Sequence, residues 1–317
     1  MSLPSILKLT PYLREVVWGG RRLESEFGKK LPPGKRVGEA HELSAIAHTE
    51  CHVAEGPLTG KSLPDLIQTY GSELIGQGVV DRYSTHFPLL IKWLDAHEDL
   101  SIQVHPDDDY ATKQNLGRFG KSEAWYVVKS EDGRIAGGLR DGVDADSLRQ
   151  AIDAGRVEDA VIYHSVKPGD VVSIPPGTVH ALCGGVMVYE LQQSSDITFR
   201  LYDYDRPGPD GQPRELHVDQ GLAVTRPDID ASPKRVSGPR QVTTGHFTLD
   251  RYASAARNHE PIPSFSAITF VQGAANLSAD GTTCRATSGD TLLIPAERGI
   301  SVQPDADCEY LIAAVPA

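Results

Sequence analysis

Short apolar runs with a period of two recur along almost the whole chain, and no other feature constrains the fold as strongly. "FPLLIKWLDA", "LSIQVH", "EAWYVVKS", "GDVVSIP", "GVMVYELQQ", "ITFRLYD", "SFSAITFVQG" and "GDTLLIPA" are β-rich, and each is bounded by Gly, Pro, Asp or Asn. Helical periodicity is confined to two places. Residues 61–76, "KSLPDLIQTYGSELIG", carry Leu63, Leu66, Ile67 and Leu74 near the helical repeat; residues 144–155, "DADSLRQAIDAG", carry Leu148, Ala151 and Ile152 before Gly155. Parallel sheets need a crossover between successive strands, and these helices are too few to supply them. The chain is therefore predicted to be mainly β, an antiparallel sandwich or barrel with a few short helices.

A length of 317 residues is enough for two such units. The segment 226–240, "RPDIDASPKRVSGPR", has no apolar periodicity and is the natural boundary, so the expected domains are 1–230 and 240–317. The two sides echo one another. "PGDVVSIPPGTVHAL" (168–182) and "SGDTLLIPAERGISV" (288–302) both read Gly-Asp, four mostly apolar residues, then Pro. The second copy lacks the histidine, so a degenerate C-terminal unit without metal ligands is expected.

Composition narrows the partners. Thirty-one basic against 43 acidic residues leave a formal charge of −12, which argues against a nucleic-acid binder. Any anionic substrate must be caught locally. Four widely spaced cysteines contain no C-x-x-C pair and read as reduced thiols. "MSLPSILKLT" has no charged leader followed by a long apolar core, and no run approaches the roughly 18 apolar residues of a membrane span. A cytoplasmic protein with no membrane contact is expected. Its oligomeric state is left open by the sequence, with a monomer favoured.

Alternate side chains on a strand share a face. Ser101, Gln103 and His105 thus oppose Ile102 and Val104; Lys121 and Glu123 share a face; Thr198, Arg200 and Tyr202 oppose Ile197, Phe199 and Leu201. One apolar and one selectively polar face is the pattern of a barrel whose interior is a site. His105, Glu123 and His180, with Gln103 as a fourth, are donors suited to a divalent ion. The blander alternative has His105 capping the turn before Pro106 and Gln103 facing solvent. In the same spirit Glu123 is a surface acid, Lys121 a solvated charge, Arg200 an ion-pair partner of Asp196 or Asp203, and Glu190 structural. The other histidines, His41 among them, default to surface or capping roles. Trp93 and Trp125 are expected to pack the barrel, Trp18 and Tyr12 to lie near its mouth, and Asp107-Asp108-Asp109 to form a solvated turn.

From Gly169, "GDVVSIPPGTVH" fits G-x5-P-x-G-x2-H, with Pro175, Gly177 and His180 in place. This resembles the second metal-binding motif of the cupin superfamily, which implies jelly-roll-like β-barrels, here two in tandem. "LSIQVHPDDDYA", "GKSEAWYVV", "IPPGTVHAL" and "ELQQSSDITFRLYDYDR", in this order and spacing, resemble type I phosphomannose isomerase, in particular its short bacterial class I form. The likeness runs from "PYLREVVWGGRRL" (11–23) through "VGEAHELS" (37–44) and "FPLLIKWLDA" (87–96) to "DYDRPG" (203–208).

The resemblance implies one zinc ion per chain on Gln103, His105, Glu123 and His180. It implies substrate contacts from Ser101 and Lys121 near a phosphate, a catalytic Arg200, and Glu190 in proton handling. Arg206 falls where longer eukaryotic members carry a substrate lysine, and His41 where a tryptophan is expected. The implied reaction interconverts mannose 6-phosphate and fructose 6-phosphate through a cis-enediol. Two other readings stand beside it: a non-catalytic sugar-phosphate-binding cupin, and a metal-dependent cupin oxygenase with iron and no evident use for Lys121 and Arg200.

Overall fold

The computed structural model describes residues 2–208 and 211–316. It is mainly β, with all strand pairing in four antiparallel sheets. A six-stranded sheet runs Val171–Ile174, Glu123–Ser130, Val186–Gln193, Leu89–Asp95, Val37–Leu43, Tyr12–Gly20. Facing it is a five-stranded sheet in the order Phe199–Tyr202, Ile102–Val104, His180–Leu182, Arg134–Leu139, Val161–Ser165. Between them lie Leu94, Trp125, Val127, Val188, Ile135 and Leu182.

The C-terminal strands repeat this scheme. Arg240–Thr243, Thr248–Ala253, Glu309–Ala314, Ser266–Gln272 and Thr291–Ile294 are consecutive in a seven-stranded sheet. A four-stranded sheet of Arg257–His259, Ile300–Pro304, Ala274–Ala279 and Thr282–Thr287 covers one face of it. The other face packs against the six-stranded sheet through Ile91, Trp93, Tyr126 and Leu191 on one side and Leu249, Ala267, Leu293 and Leu311 on the other. Alternation explains this: in Leu89–Asp95 the odd residues enter the shared core, while Lys92 and Leu94 point the opposite way.

The seven-stranded sheet ends in strands from the start of the chain. Leu7–Thr10 pairs with Thr291–Ile294, placing Leu7 opposite Leu293, and His52–Val53 pairs on its far side. Two small pieces of the expected 1–230 unit thus lie among the C-terminal strands.

Both expected helices form where their end signals sit. Ser62 caps Leu63–Tyr70: its hydroxyl accepts from Asp65 N at 3.2 Å while the Asp65 carboxylate accepts from Ser62 N at 3.1 Å. Gly71 stops that helix and a short one, Ser72–Ile75, follows. Asp144 caps Ala145–Asp153. The acidic run at 107–109 is not a plain solvated turn. Asp107 caps the helix Asp108–Lys113, and Asp108 accepts from Gly120 N and Gln193 Nε2 at 2.7 and 2.8 Å.

Candidate metal centre

The apolar face of Ile102–Val104 points outward, against the helices Ala145–Asp153 and Val218–Val224, with Leu148, Ile152 and Leu222 in contact range of Ile102, Val104 and Phe199. Ser101, Gln103 and His105 therefore point inward. Strand pairing adds the rest: His180 and Arg200 both stand opposite Gln103. Glu123 opens the facing strand, paired with Ile174 and Gln192.

The turn Pro175-Pro176-Gly177 delivers His180. Gly177 has φ +91° and donates its N–H to His105 O at 2.9 Å, tying the two histidine segments together. A Cβ there would lie 2.8 Å from Arg226 Cγ and 2.9 Å from Val224 O, so only glycine fits.

One donor atom from each of His105, Glu123 and His180 falls within a 4.8 Å group, and all three side chains are buried. Each ring Nδ1 is 2.9 Å from a carbonyl oxygen, that of Ile197 for His105 and that of Thr178 for His180. A carbonyl can only accept, so Nδ1 carries the proton and each neutral imidazole turns its Nε2 lone pair inward. Those lone pairs face Glu123: Nε2 of His180 is 3.2 Å from Oε1, and Nε2 of His105 is 3.6 Å from Oε2. Acceptor faces acceptor, which only a cation reconciles.

Lys121 is the cation on hand, with Nζ 2.7 Å from Glu123 Oε2 and 3.1 Å from His105 Nε2. The second is a hydrogen bond to the imidazole, the first an ion-pair distance without hydrogen-bond geometry: neither Glu123 oxygen accepts a well-angled bond, although the residue has no exposure. Burial opposes the Glu123 charge, but the Lys121 ammonium beside it outweighs burial and holds the carboxyl well below the usual range. Burial and Lys121 together push His105 well below the usual imidazole value, which keeps it neutral. The Gln103 amide completes the group, 3.3 Å from His180 Nε2 and accepting from Ser101 Oγ at 3.3 Å. Two neutral imidazoles, one ionised carboxylate and an amide fit a divalent ion of the zinc type.

A cavity of about 240 Å³ opens above these donors, lined by Ser101, Gln103, Lys121, Glu190, Arg200 and Trp18 among others. Glu190 is buried and accepts from Lys92 Nζ at 3.0 Å and Trp125 Nε1 at 2.9 Å. Trp125 also meets His180 edge to face, centroids 5.6 Å apart, so one indole links Glu190 to the donor group. Arg200 donates through one terminal nitrogen to Glu215 O at 2.8 Å, and its buried Nε has no partner. It forms no ion pair with Asp196 or Asp203. Arg206 stands apart from the cavity lining, held by Asp203 at 2.7 Å and lying over the Tyr204 ring.

Sequence reasoning missed part of this wall. Arg14, Glu39, Lys92 and Arg214 line the cavity too. His41 is neither a surface nor a capping histidine: it is buried and its Nε2 lies 2.9 Å from Glu39 Oε2. Burial keeps His41 neutral, while Lys92, His41 and Arg14 overcome burial to hold Glu39 ionised. The available signal was Lys92, a lone charge inside "LLIKWL". Trp18 lines the mouth and Trp125 packs inside as expected, whereas Trp93 points the other way, into the core shared with the seven-stranded sheet.

This arrangement, a β-barrel turning His, Glu and Gln donors into its interior beneath a cationic cavity, defines a metal-dependent cupin. A family model described as "Phosphomannose isomerase type I, catalytic domain" matches residues 6–136. The probable mannose-6-phosphate isomerase GmuF of Bacillus subtilis is 34% identical over 97% of this chain and 98% of its own length. The crystal structure of a mannose 6-phosphate isomerase from Bacillus subtilis superposes with TM-score 0.86 at 31% identity, covering 98% of this chain and 99% of that one. A mannose 6-phosphate isomerase bound with zinc and yttrium shares the fold with TM-score 0.78 at 16% identity, over 99% of this chain and 100% of that one. The chain belongs to the type I phosphomannose isomerase family.

Proposed function

We propose that this protein interconverts mannose 6-phosphate and fructose 6-phosphate, with zinc held by Gln103, His105, Glu123 and His180. The observation that carries this reading is the buried Glu123 carboxylate: it faces two imidazole lone pairs and lies beneath a cavity that carries Arg200 and Lys121. When bound there, zinc supplies a Lewis-acid centre that stabilises negative charge on the sugar C1 and C2 oxygens.

The chain's own residues supply the rest. Glu190 takes the C2 proton of the open-chain aldose to give a cis-enediolate and returns it to C1 as the hydroxyl proton passes from O2 to O1; its carboxylate is held in place by Lys92 and Trp125. Arg200 stands over the enediol oxygens, and its unpartnered Nε is a donor in reserve for them. Lys121 and Ser101 receive the phosphate, so one local ammonium offsets a strongly acidic chain. A metal held by Glu123 would compete with Lys121 for that carboxylate, which would free the ammonium for the phosphate. Arg206 takes part through Asp203, which it shares with the cavity-lining Arg214.

In this reading residues 1–230 are the catalytic unit and 240–317 a degenerate companion. No helix among the described residues is long and apolar enough to cross a membrane. We place the enzyme in the cytoplasm as a monomer acting on a free sugar phosphate, with no nucleic-acid partner. The test is a coupled assay of fructose 6-phosphate formation on the native protein, the chelated protein and His180→Ala. Full turnover in either altered sample overturns the assignment.

A further inference from the structure

The larger cavity is in the other half. It measures about 820 Å³, within the range that holds a drug-sized ligand, and lies between the seven-stranded and four-stranded sheets. Register shows where this is. Ile174 pairs with Glu123 and Ile294 with Ser266; His180 pairs with Gln103 and Ile300 with His259; Glu190 pairs with Lys92 and Ile312 with Asp250. Ser266, Ile300, His259 and Ile312 thus occupy the positions of Glu123, His180, Gln103 and Glu190. All four line the large cavity. It is the counterpart of the metal site, widened and with His259 the one imidazole left at the four matched positions.

Its chemistry differs in a specific way. Ile262, Ile300, Ile312 and Val315 form an apolar wall that favours an apolar body, while His259 and Glu260 put an imidazole and a carboxylate elsewhere in the lining. At the edge stand Arg82 and Arg257, both exposed, with no carboxylate in ion-pair range among the described residues. By contrast Arg240 is matched by Asp250, and Arg298 by Asp280. Arg257 lies over the Tyr252 ring, 4.9 Å from its centroid, which presents its guanidinium at the cavity. Two unmatched guanidinium groups beside an apolar chamber, on a chain of charge −12, call for an anion with an apolar body.

We propose that the C-terminal sheet pair is a second ligand site for a small organic anion whose apolar or aromatic body lies between the sheets and whose acid group meets Arg257, with Arg82 a second exposed cation on the rim. The probe is 1-anilinonaphthalene-8-sulfonate, titrated into the metal-loaded full chain by fluorescence and calorimetry, with its neutral relative N-phenyl-1-naphthylamine beside it. One saturable sulfonate site per chain is expected, retained in His180→Ala. The double variant Arg82→Glu/Arg257→Glu is expected to weaken sulfonate binding tenfold or more and to leave the neutral probe unchanged. Ile312→Trp, filling the chamber, is expected to abolish both. Absence of a saturable site, its loss in His180→Ala, or sulfonate affinity unaltered by the charge reversal overturns the proposal. Should Ile312→Trp fail to fold, the charge-reversed pair, which changes exposed side chains only, still decides.

Discussion

His180 and Ile300 occupy one position in two sheet pairs of the same strand order, yet one turns a lone pair toward a carboxylate and the other a butyl group toward apolar walls. The same holds for Glu123 against Ser266 and Glu190 against Ile312. The frame decides where a side chain points; it does not decide what the side chain must be. Each choice carries its own cost. A buried carboxylate without a partner costs several kcal/mol, and in the first half Lys121 stands in when no metal is bound. The second half holds no such charge at these positions and is free to stay open.

The sharpest way to break this comparison is to cut both barrels at the matched position. His180→Ala is expected to lower kcat/KM for mannose 6-phosphate by at least about 10⁴-fold, as is chelation of the native protein. Ile300→Ala is expected to leave kcat/KM within about twofold and to cost about 2–5 kcal/mol in denaturant unfolding. Equal loss of turnover in both would abolish the distinction. Next in size, Glu190→Gln is expected to reduce kcat by about 10²-fold or more with little change in KM. Its counterpart Ile312→Val should cost about 0.5–1.5 kcal/mol of stability and no turnover. Smaller again, Lys121→Ala is expected to raise KM about 10- to 100-fold through loss of a charge-assisted bond to phosphate; an unchanged KM would remove Lys121 from that role.

A last effect is on acid stability, where His259 gives the second half a contribution separate from those of His41, His105, Glu39 and Glu123 in the first. Burial, with Arg257 beside it, lowers His259 to about 4. The unfolded chain takes up this proton from about pH 6.5 downward and the folded one only near 4, so stability is lost as pH falls across that window. His259→Gln should flatten this part of the melting-temperature profile without touching turnover. An unchanged slope would show that His259 does not report on the chamber.

The first barrel was readable for a local reason. Ser101, Gln103 and His105 alternate within five residues, and Gly177 with Pro175 marks the turn that delivers His180. The wall around Glu190 was not: Glu39 and His41 alternate on one strand, but Lys92 and Glu190 reach them only through the pairing of strands far apart in the chain. Only the lone charge of Lys92 hinted at it. The large chamber is silent in sequence, since an apolar residue that lines a void reads like one that fills a core. The joining of Leu7–Thr10 to the C-terminal sheet is equally silent: four residues of unexceptional alternation fit any antiparallel edge.

That last pairing sets a clock. One edge of Leu7–Thr10 can take up His52–Val53 early, but the other has no strand to join until Leu293 exists, and at about 5–20 residues per second the ribosome needs on the order of tens of seconds to make it. The earliest strand of the nascent chain must hold that edge open for one of the last. Native closure of the molecule is therefore a late and long-range event, and release from the ribosome, more than assembly of the metal donors, is the step that seals it.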